Sequence, residues 1–289
     1  MMKYYGDVYR PPSEAQSLII QCTLGCAHNT CLFCSMYKAE PFVMRKQEDI
    51  LSDLRETADL FPRTRRIFLA DGDALVMPTP RLLEILQTIW TLFPAFERAT
   101  SYATVKDILL KSDQDLLALR KAGLSMVYIG LESGADEILR AMDKGQTQEE
   151  FVMAMEKVKK AGIRTSVTLI FGLGGREKSD LHIRESARAI SRTQPDYLSF
   201  LSLQLSPRAP LYDQVKRGDF QLLTDEEEMG EMRSFIEQTD SPGTVFRSNH
   251  ASNPVAIGGT FNEDRGKMLE AIDRAVKNQA YRPLSWRGL

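Results

Sequence analysis

Short apolar runs alternate with longer amphipathic segments between residues 17 and 205, and this alternation limits the possible folds more than any other feature. The runs are rich in β-branched and aromatic residues, which predicts buried strands at residues 17–23, 66–71, 97–104, 125–132, 164–171 and 197–205. Apolar residues at helical spacing predict helices at residues 47–61, 80–93, 105–122, 135–142, 148–161 and 178–192. Each strand–helix unit covers about 30 residues, the size of a βα unit.

Strands that are apolar on both faces and joined by helices indicate a parallel sheet covered by helices. The sequence therefore predicts an α/β protein with a (βα)6 core, either an open barrel or a doubly wound sheet. We divide the chain into an irregular leader at residues 1–16, this core at residues 17–205 and an extension at residues 206–289. The extension has helical patterns near residues 224–237 and 263–277 and a short strand near 243–247, and we expect it to pack against the core.

Composition excludes several classes of partner. The formal net charge of −2 provides no overall attraction to nucleic acid. No apolar run approaches the length of a membrane span, and the N-terminus lacks the pattern of a signal peptide. We therefore expect a cytoplasmic protein with no membrane partner.

All four cysteines lie within residues 22–34. The spacings Cys31-x-x-Cys34 and Cys26-x-x-x-x-Cys31 allow three thiolates to converge on one metal site. Clustered cysteines in a reducing compartment bind metal more often than they form disulfides. Cys22 falls in the first predicted strand, where we interpret it as a small buried residue. The alternative is a structural zinc site that uses all four thiolates.

Three other distinctive segments follow predicted strands. Asp71-Gly72-Asp73 follows the second strand, Glu132-Ser133-Gly134 ends the fourth, and the glycine-rich residues 172–175 follow the fifth. In a parallel α/β fold, the carboxyl ends of the strands share one edge, and functional residues collect there. The cysteine segment follows the first strand at that same edge. We therefore expect all four segments to face one site.

These motifs resemble those of the radical SAM superfamily, in particular the branch with anaerobic coproporphyrinogen oxidase and methylthiotransferase-type proteins. The resemblance is carried by the three-cysteine loop with Phe33 before its last cysteine, by the turn around Gly72, and by the Gly-Leu-Glu-Ser-Gly sequence that contains Glu132. It covers about residues 17–205. The usual family motif has three residues between the first two cysteines, whereas this chain has four, at residues 27–30.

The resemblance implies a partial (βα)6 TIM-like barrel with a small C-terminal α+β extension. It also implies a 4Fe–4S cluster on Cys26, Cys31 and Cys34, with S-adenosylmethionine on the remaining iron. An electron from the cluster would cleave S-adenosylmethionine to a 5′-deoxyadenosyl radical that takes hydrogen from a substrate. Such chemistry is anaerobic, because oxygen must be kept away from the cluster.

The resemblance further implies contacts to S-adenosylmethionine from residues at the strand ends. These are Phe33, Gly72, Asp73, Ser101, Glu132, Lys144, Thr168 and Gly172. Each of these residues also has an ordinary structural explanation. Gly72 and Asp73 could form a turn, Glu132 a helix cap or an ion pair, and Gly172 a loop closure. Lys144 could be solvated, the hydroxyls of Ser101 and Thr168 could bond the backbone, and Phe33 could pack in the core.

Residues 248–253 of the extension are dense in hydrogen-bonding groups. We regard Asn249, His250 and Asn253 as possible substrate contacts, because histidine is scarce in this chain and can bind or transfer protons. The alternative, which we favour slightly, is a turn that ties the extension to the core through side-chain-to-backbone bonds.

The sequence thus predicts a radical SAM enzyme that acts on a small molecule and receives electrons from a donor such as flavodoxin or ferredoxin. The substrate and the catalytic residues that act on it are not encoded in recognisable motifs. Two alternatives are a zinc-stabilised α/β binding protein, and a cluster-based electron carrier or sensor that does not cleave S-adenosylmethionine.

Overall fold

The structure, a computed structural model, describes residues 4–287, and strands and helices alternate along this part of the chain. The strands are β1 (Leu18–Gln21), β2 (Thr23–Leu24), β3 (Val43–Met44), β4 (Arg66–Ala70), β5 (Arg98–Tyr102), β6 (Leu124–Glu132), β7 (Arg164–Phe171), β8 (Tyr197–Ser202), β9 (Val245–Ser248) and β10 (Ile257–Thr260). The helices are α1 (Gln47–Leu60), α2 (Thr79–Leu92), α3 (Val105–Leu110), α4 (Asp113–Lys121), α5 (Asp136–Ala141), α6 (Gln148–Lys160), α7 (Ser179–Thr193), α8 (Leu211–Arg217), α9 (Asp225–Gln238) and α10 (Arg265–Lys277).

Eight of the strands belong to one mostly parallel sheet. In the order β1, β4, β5, β6, each strand pairs in parallel with the next, and Leu18 of β1 lies opposite Ile67 of β4. Strands β7, β8 and β9 are likewise parallel neighbours, and β10 closes the row by pairing antiparallel with β9. Successive parallel strands place the carboxyl ends of β1, β4 and β5 on a common edge, as the sequence predicts.

Contacts divide the chain into two compact units. The first comprises residues 1–29, 36–129 and 156–165, and the second comprises residues 30–35, 130–155 and 166–289. Aromatic packing differs between them: in the first, Phe68 meets Tyr102 edge to face at 5.1 Å, while in the second Phe171 stacks on Phe200 at 3.9 Å. The division at residues 16 and 205 stays a prediction.

Residues 4–16 of the leader are packed within the first unit rather than projecting from it. Residues 12–14 form a 3-10 turn, and Glu14 is only 1% exposed. Its Oε1 accepts hydrogen bonds from Arg98 Nη1 at 3.0 Å and from the Tyr128 hydroxyl at 2.7 Å. A buried carboxylate needs such partners, which explains why this polar segment is ordered.

The single helix predicted at residues 105–122 is wrong, because the chain forms α3 and α4 there. Ser112 lies between them, and its hydroxyl accepts the backbone N–H of Asp115, whose carboxylate accepts the N–H of Ser112. This reciprocal capping box starts a new helix inside a continuous apolar pattern.

Two elements of the extension were not predicted. Strand β10 contains Gly258 and Gly259, which have low strand propensity, and its conformation comes from pairing with β9. Helix α8 is a short segment between Pro210 and Gly218. No helix within residues 4–287 combines the length and apolarity that crossing a membrane requires.

Candidate functional site

A two-stranded ribbon closes the base of the cysteine loop, which we define as residues 25–42. Strands β2 and β3 pair antiparallel on either side of it, and the Arg45 N–H donates to the carbonyl of Cys22. Gly25 begins the loop with a φ of +69°, and a Cβ there would lie 3.1 Å from the carbonyl oxygens of Glu40 and Pro41. The loop therefore needs glycine at this position both for conformation and for space.

The four cysteines are free thiols in different environments. Cys22 has no exposed surface, which confirms the prediction that it is buried, and burial raises the pKa of its thiol to about 12. It lies between β1 and β2 rather than in the predicted strand. Cys26 is half-buried in the first unit. In the second unit, Cys31 is buried and Cys34 half-buried, and the Cys34 N–H donates to the Cys31 carbonyl at 3.4 Å in a tight turn.

The donor set fits an iron–sulfur cluster by chemistry and spacing. Cys26, Cys31 and Cys34 form no disulfide, and thiolate ligation requires cysteines in that state. Among residues 4–287, no group of three histidine, cysteine, aspartate or glutamate side chains is close enough to hold a single metal ion. The assignment of Cys26, Cys31 and Cys34 as ligands therefore rests on their chemistry and sequence spacing.

The turn after β4 is buried and tightly packed. Asp71 and Asp73 are each 1% exposed. Asp71 Oδ1 accepts a 2.5 Å hydrogen bond from the Tyr37 hydroxyl, and Oδ2 accepts one of 3.2 Å from Gln21 Nε2. Burial raises the pKa of Asp71, and these two hydrogen bonds oppose that rise. Ser101, at the neighbouring end of β5, donates its hydroxyl to the Tyr102 carbonyl.

Glu132 ends β6 in an unusual backbone conformation. Its φ is +65°, a left-handed value that a glutamate rarely adopts, and the residue is only 9% exposed. Its Oε1 forms a 3.0 Å ion pair with Lys144 Nζ. A Cβ at Gly130 would lie 2.0 Å from the same Oε1, so the carboxylate folds back over a glycine. Local strain of this kind is concentrated at functional sites.

A buried histidine supports the turn that follows Glu132. His182 of α7 has no exposed surface, and burial lowers its pKa to about 4. Its Nε2 lies 2.9 Å from the Ile170 carbonyl, so Nε2 carries the proton, and the Ser133 hydroxyl donates to Nδ1 at 2.8 Å. At neutral pH the ring is therefore an uncharged link between the ends of β6 and β7.

Two glutamates of α9 hold the ends of β7 and β8. Glu231 accepts the Gly172 N–H at 2.8 Å and the Ser179 hydroxyl at 2.7 Å. Glu228 accepts the Ser202 hydroxyl at 2.6 Å. Burial raises the pKa of Glu231 to about 8 and that of Glu228 to about 7.

Phe33 packs against an apolar cluster of the second unit that includes Ile138, Met142, Leu173 and Leu211. Phe33 thus makes the core-packing contacts that we gave as the structural alternative to a contact with S-adenosylmethionine. Thr168 lies in β7, opposite Ser199 of β8.

In the extension, Asn253 is fully buried, and its side chain bonds the Phe200 carbonyl, the Ser202 N–H and the Ser248 hydroxyl. This is the tying role that the sequence favoured. His250 is half-buried and its Nδ1 accepts the Ser252 N–H, while Asn249 is exposed.

The sequence did not single out Tyr37 in the first unit, nor His182 and the two glutamates of α9 in the second. The burial of Glu228 and Glu231 could have been predicted from the sequence, because both lie on the apolar face of the helix, with Met232 and Phe235. No sequence pattern pointed to Tyr37, because its partner Asp71 is 34 residues away in the chain.

A family model described as the radical SAM superfamily matches residues 20–188. This segment exceeds half of the 289 residues and contains all four cysteines together with Gly72 and Glu132. The chain belongs to the radical SAM superfamily. Because the superfamily is defined by a 4Fe–4S cluster and S-adenosylmethionine, both predicted cofactors are confirmed at the family level.

One curated relative is the heme chaperone HemW of Bacillus subtilis (strain 168), 19% identical over 211 residues, which are 70% of this chain and 54% of the relative. The chain spans about half the length of the first curated relatives it matches. Among solved structures, coproporphyrinogen III oxidase (HemN) from Escherichia coli matches with a TM-score of 0.57 and 18% identity, covering 76% of this chain and 51% of HemN.

The methyltransferase TsrM from Kitasatospora setae matches with a TM-score of 0.57 and 18% identity, covering 70% of this chain and 39% of TsrM. That structure contains cobalamin and a 4Fe–4S cluster, and another structure of TsrM contains an S-adenosylmethionine analogue. These similarities confirm the predicted fold class, a partial (βα)6 barrel with a C-terminal α+β extension, and the resemblance to the coproporphyrinogen oxidase branch.

Proposed function

We propose that the chain is a radical SAM enzyme that binds a 4Fe–4S cluster through Cys26, Cys31 and Cys34 and abstracts hydrogen from a small-molecule substrate. The observation that carries the proposal is the presence of three free thiols at ligand spacing inside the segment that matches the family. Three thiolates leave one iron for S-adenosylmethionine. When bound, the reduced cluster and S-adenosylmethionine together supply the radical that takes hydrogen from the substrate.

The strand ends would bind and orient S-adenosylmethionine. Gly72 lets the backbone approach the ligand, and the Asp73 carboxylate would accept hydrogen bonds from its ammonium group. Glu132 would accept a ribose or ammonium hydrogen bond, with Lys144 neutralising its charge at 3.0 Å. The Lys144 ammonium is also a candidate partner for the methionyl carboxylate.

Several residues would shape the rest of the pocket. Phe33 would exclude water through the apolar cluster that it joins. Ser101, Thr168 and Gly172 would contribute polar or backbone contacts at the ends of β5 and β7. We further propose that residues 206–289 form an extension that contributes to substrate choice, with His250 and Asn249 as its candidate contacts. Asn253 is a weaker candidate, because its side chain is buried and already bonded.

The same proposal includes a cytoplasmic location and a soluble electron donor of the flavodoxin or ferredoxin type. Both follow from the needs of a reduced cluster, which must be recharged by one electron and protected from oxygen.

The test is anaerobic purification of the chain and of two variants, Cys31→Ala and Cys22→Ala. We expect about four iron and four sulfide per chain in the wild type, with a broad brown absorbance that fades on reduction. Cys31→Ala should lose the cluster. Cys22→Ala should keep it, because the Cys22 thiol is fully buried between β1 and β2.

A colourless wild-type protein with stoichiometric zinc would contradict the proposal and support the structural zinc alternative. Loss of the cluster in both variants, with wild-type circular dichroism, would contradict the ligand assignment and add Cys22 to the site.

A further inference from the structure

We propose that Tyr37 is a positioning residue that fixes the turn at Gly72 and Asp73 to the cysteine loop, so that the loop and the S-adenosylmethionine contacts of β4 hold one arrangement. The inference rests on the proposed function, because it assigns the Gly72 turn to S-adenosylmethionine. Tyr37 lies three residues after Cys34 in the sequence and is only 4% exposed.

The first contact is a hydrogen bond. The Tyr37 hydroxyl donates to Asp71 Oδ1 at 2.5 Å, next to Gly72 in the chain. Gln21 Nε2 donates to the other carboxylate oxygen at 3.2 Å, and the Asp71 N–H donates to the Thr23 hydroxyl at 3.3 Å. Asp71 is therefore held by partners on the cysteine loop, on β1 and on β2, which makes it a structural anchor of the turn.

The second contact is steric. A Cβ at Gly72 would lie 2.5 Å from Tyr37 Cε2 and 3.0 Å from Cδ2. Real Cβ atoms do not approach other carbons this closely, so the Tyr37 ring occupies the space that any side chain at position 72 would need. The φ of Gly72 is not in the left-handed region, and glycine is therefore required here for space rather than for backbone freedom.

The third set of contacts ties Tyr37 to the middle of the loop. Its carbonyl accepts Asn29 Nδ2 at 2.7 Å, and the Asn29 carbonyl accepts Lys38 Nζ at 2.7 Å. Tyr9 packs edge-on against the ring at 5.3 Å. Asn29 lies between Cys26 and Cys31 in the sequence. Tyr37 therefore connects the segment between two proposed ligands, through its backbone carbonyl, to the end of β4, through its hydroxyl.

The experiment measures binding of S-adenosylmethionine to the anaerobically reconstituted chain, by equilibrium dialysis and by the change in the electron paramagnetic resonance spectrum of the reduced cluster. Tyr37→Phe keeps the ring and removes the donor. We expect unchanged iron content and a dissociation constant raised about tenfold, the effect of one buried hydrogen bond to a charged group.

The steric contact is tested by a double-mutant cycle. Gly72→Ala should weaken binding at least about tenfold, because the new methyl group collides with the ring. Tyr37→Ala removes that ring, so Tyr37→Ala/Gly72→Ala should bind more tightly than the product of the two single effects predicts.

Tyr128→Phe is the matched control. It also removes a hydroxyl that donates to a buried carboxylate, at 2.7 Å to Glu14, but its partner lies in the leader. It should leave binding of S-adenosylmethionine and the spectrum unchanged. An equal loss of binding in Tyr128→Phe and Tyr37→Phe would show a merely structural effect and overturn the positioning role.

Two results separate this inference from the proposed function. Wild-type affinity in Tyr37→Phe, together with additive effects in the cycle, would overturn the inference and leave the enzyme proposal intact. A wild-type protein that holds no cluster or does not bind S-adenosylmethionine would overturn both.

Discussion

Glu132 is a buried charged residue whose stability in the fold depends on one partner, Lys144. Its carboxylate is largely buried, its backbone is left-handed, and the Lys144 ammonium lies 3.0 Å away. Removing one member of a buried ion pair leaves the other charge without compensation, which costs far more than the pair itself contributes. The sequence predicted both residues at the site but not their contact with each other.

We therefore expect Lys144→Ala to lower the free energy of unfolding by about 3 kcal/mol. Urea titration followed by circular dichroism measures this change. Lys160→Ala is the control, because its ion pair with Asp113 is exposed and should contribute little. Equal stability of Lys144→Ala and the wild type would show that Glu132 does not depend on this cation.

Residues of the site differ in how visible they are in the sequence. Cys22 was correctly predicted to be buried, because its neighbours form an apolar run, although it lies between β1 and β2 rather than within a strand. Tyr37 was not found, because its role arises from contacts with Gly72 and Asp71 that only the fold brings together. Spacing within one segment reveals ligands, whereas side chains that position those segments depend on long-range packing.

At the level of elements, α9 is the clearest case of a helix that does more than cover the sheet. Its two buried glutamates accept hydrogen bonds from the ends of β7 and β8. Their raised pKa values mean that the protonated carboxyls fit the native environment better than the carboxylates.

This predicts a specific pH dependence. The stabilisation from protonated Glu231 is complete below pH 4.5, its ordinary pKa, and is lost as the pH rises through about 8. Between pH 6.5 and 8.5 we expect the free energy of unfolding to fall by on the order of 2 kcal/mol. The contribution of His182 to the free energy of unfolding has the opposite pH dependence. Because its lowered pKa favours the neutral ring, this contribution is lost only as the pH falls below 6.5.

Denaturation across that pH range tests the prediction. Glu231→Gln should flatten the decline, because an amide cannot ionise. Glu237→Gln, on the exposed part of the same helix, should follow the wild type. A decline of equal slope in Glu231→Gln and the wild type would contradict the role of the buried carboxyl.

Elements with a continuous hydrophobic pattern were predicted well, and those set by local capping or by pairing were not. The strands β4 and β7 match their predicted ranges closely. The interruption at Ser112 and the pairing of β10 depend on side-chain caps and on a neighbouring strand, which periodicity does not report.

For the whole molecule, the order of the strands in the sheet determines where the motifs lie. Parallel pairing of β1, β4 and β5 places the ends of β1 and β4, after which the cysteine loop and the Gly72 turn follow, on one edge of the sheet. The substrate is a different matter, since it is selected by loops and the extension, where geometry rather than a residue code decides.

The most direct test of the account is formation of 5′-deoxyadenosine by the reconstituted chain with dithionite and S-adenosylmethionine under anaerobic conditions. We predict that the wild type and Cys22→Ala form it and that Cys31→Ala does not. An intact 4Fe–4S cluster with no 5′-deoxyadenosine above a protein-free control would contradict the enzyme proposal and favour an electron carrier or sensor.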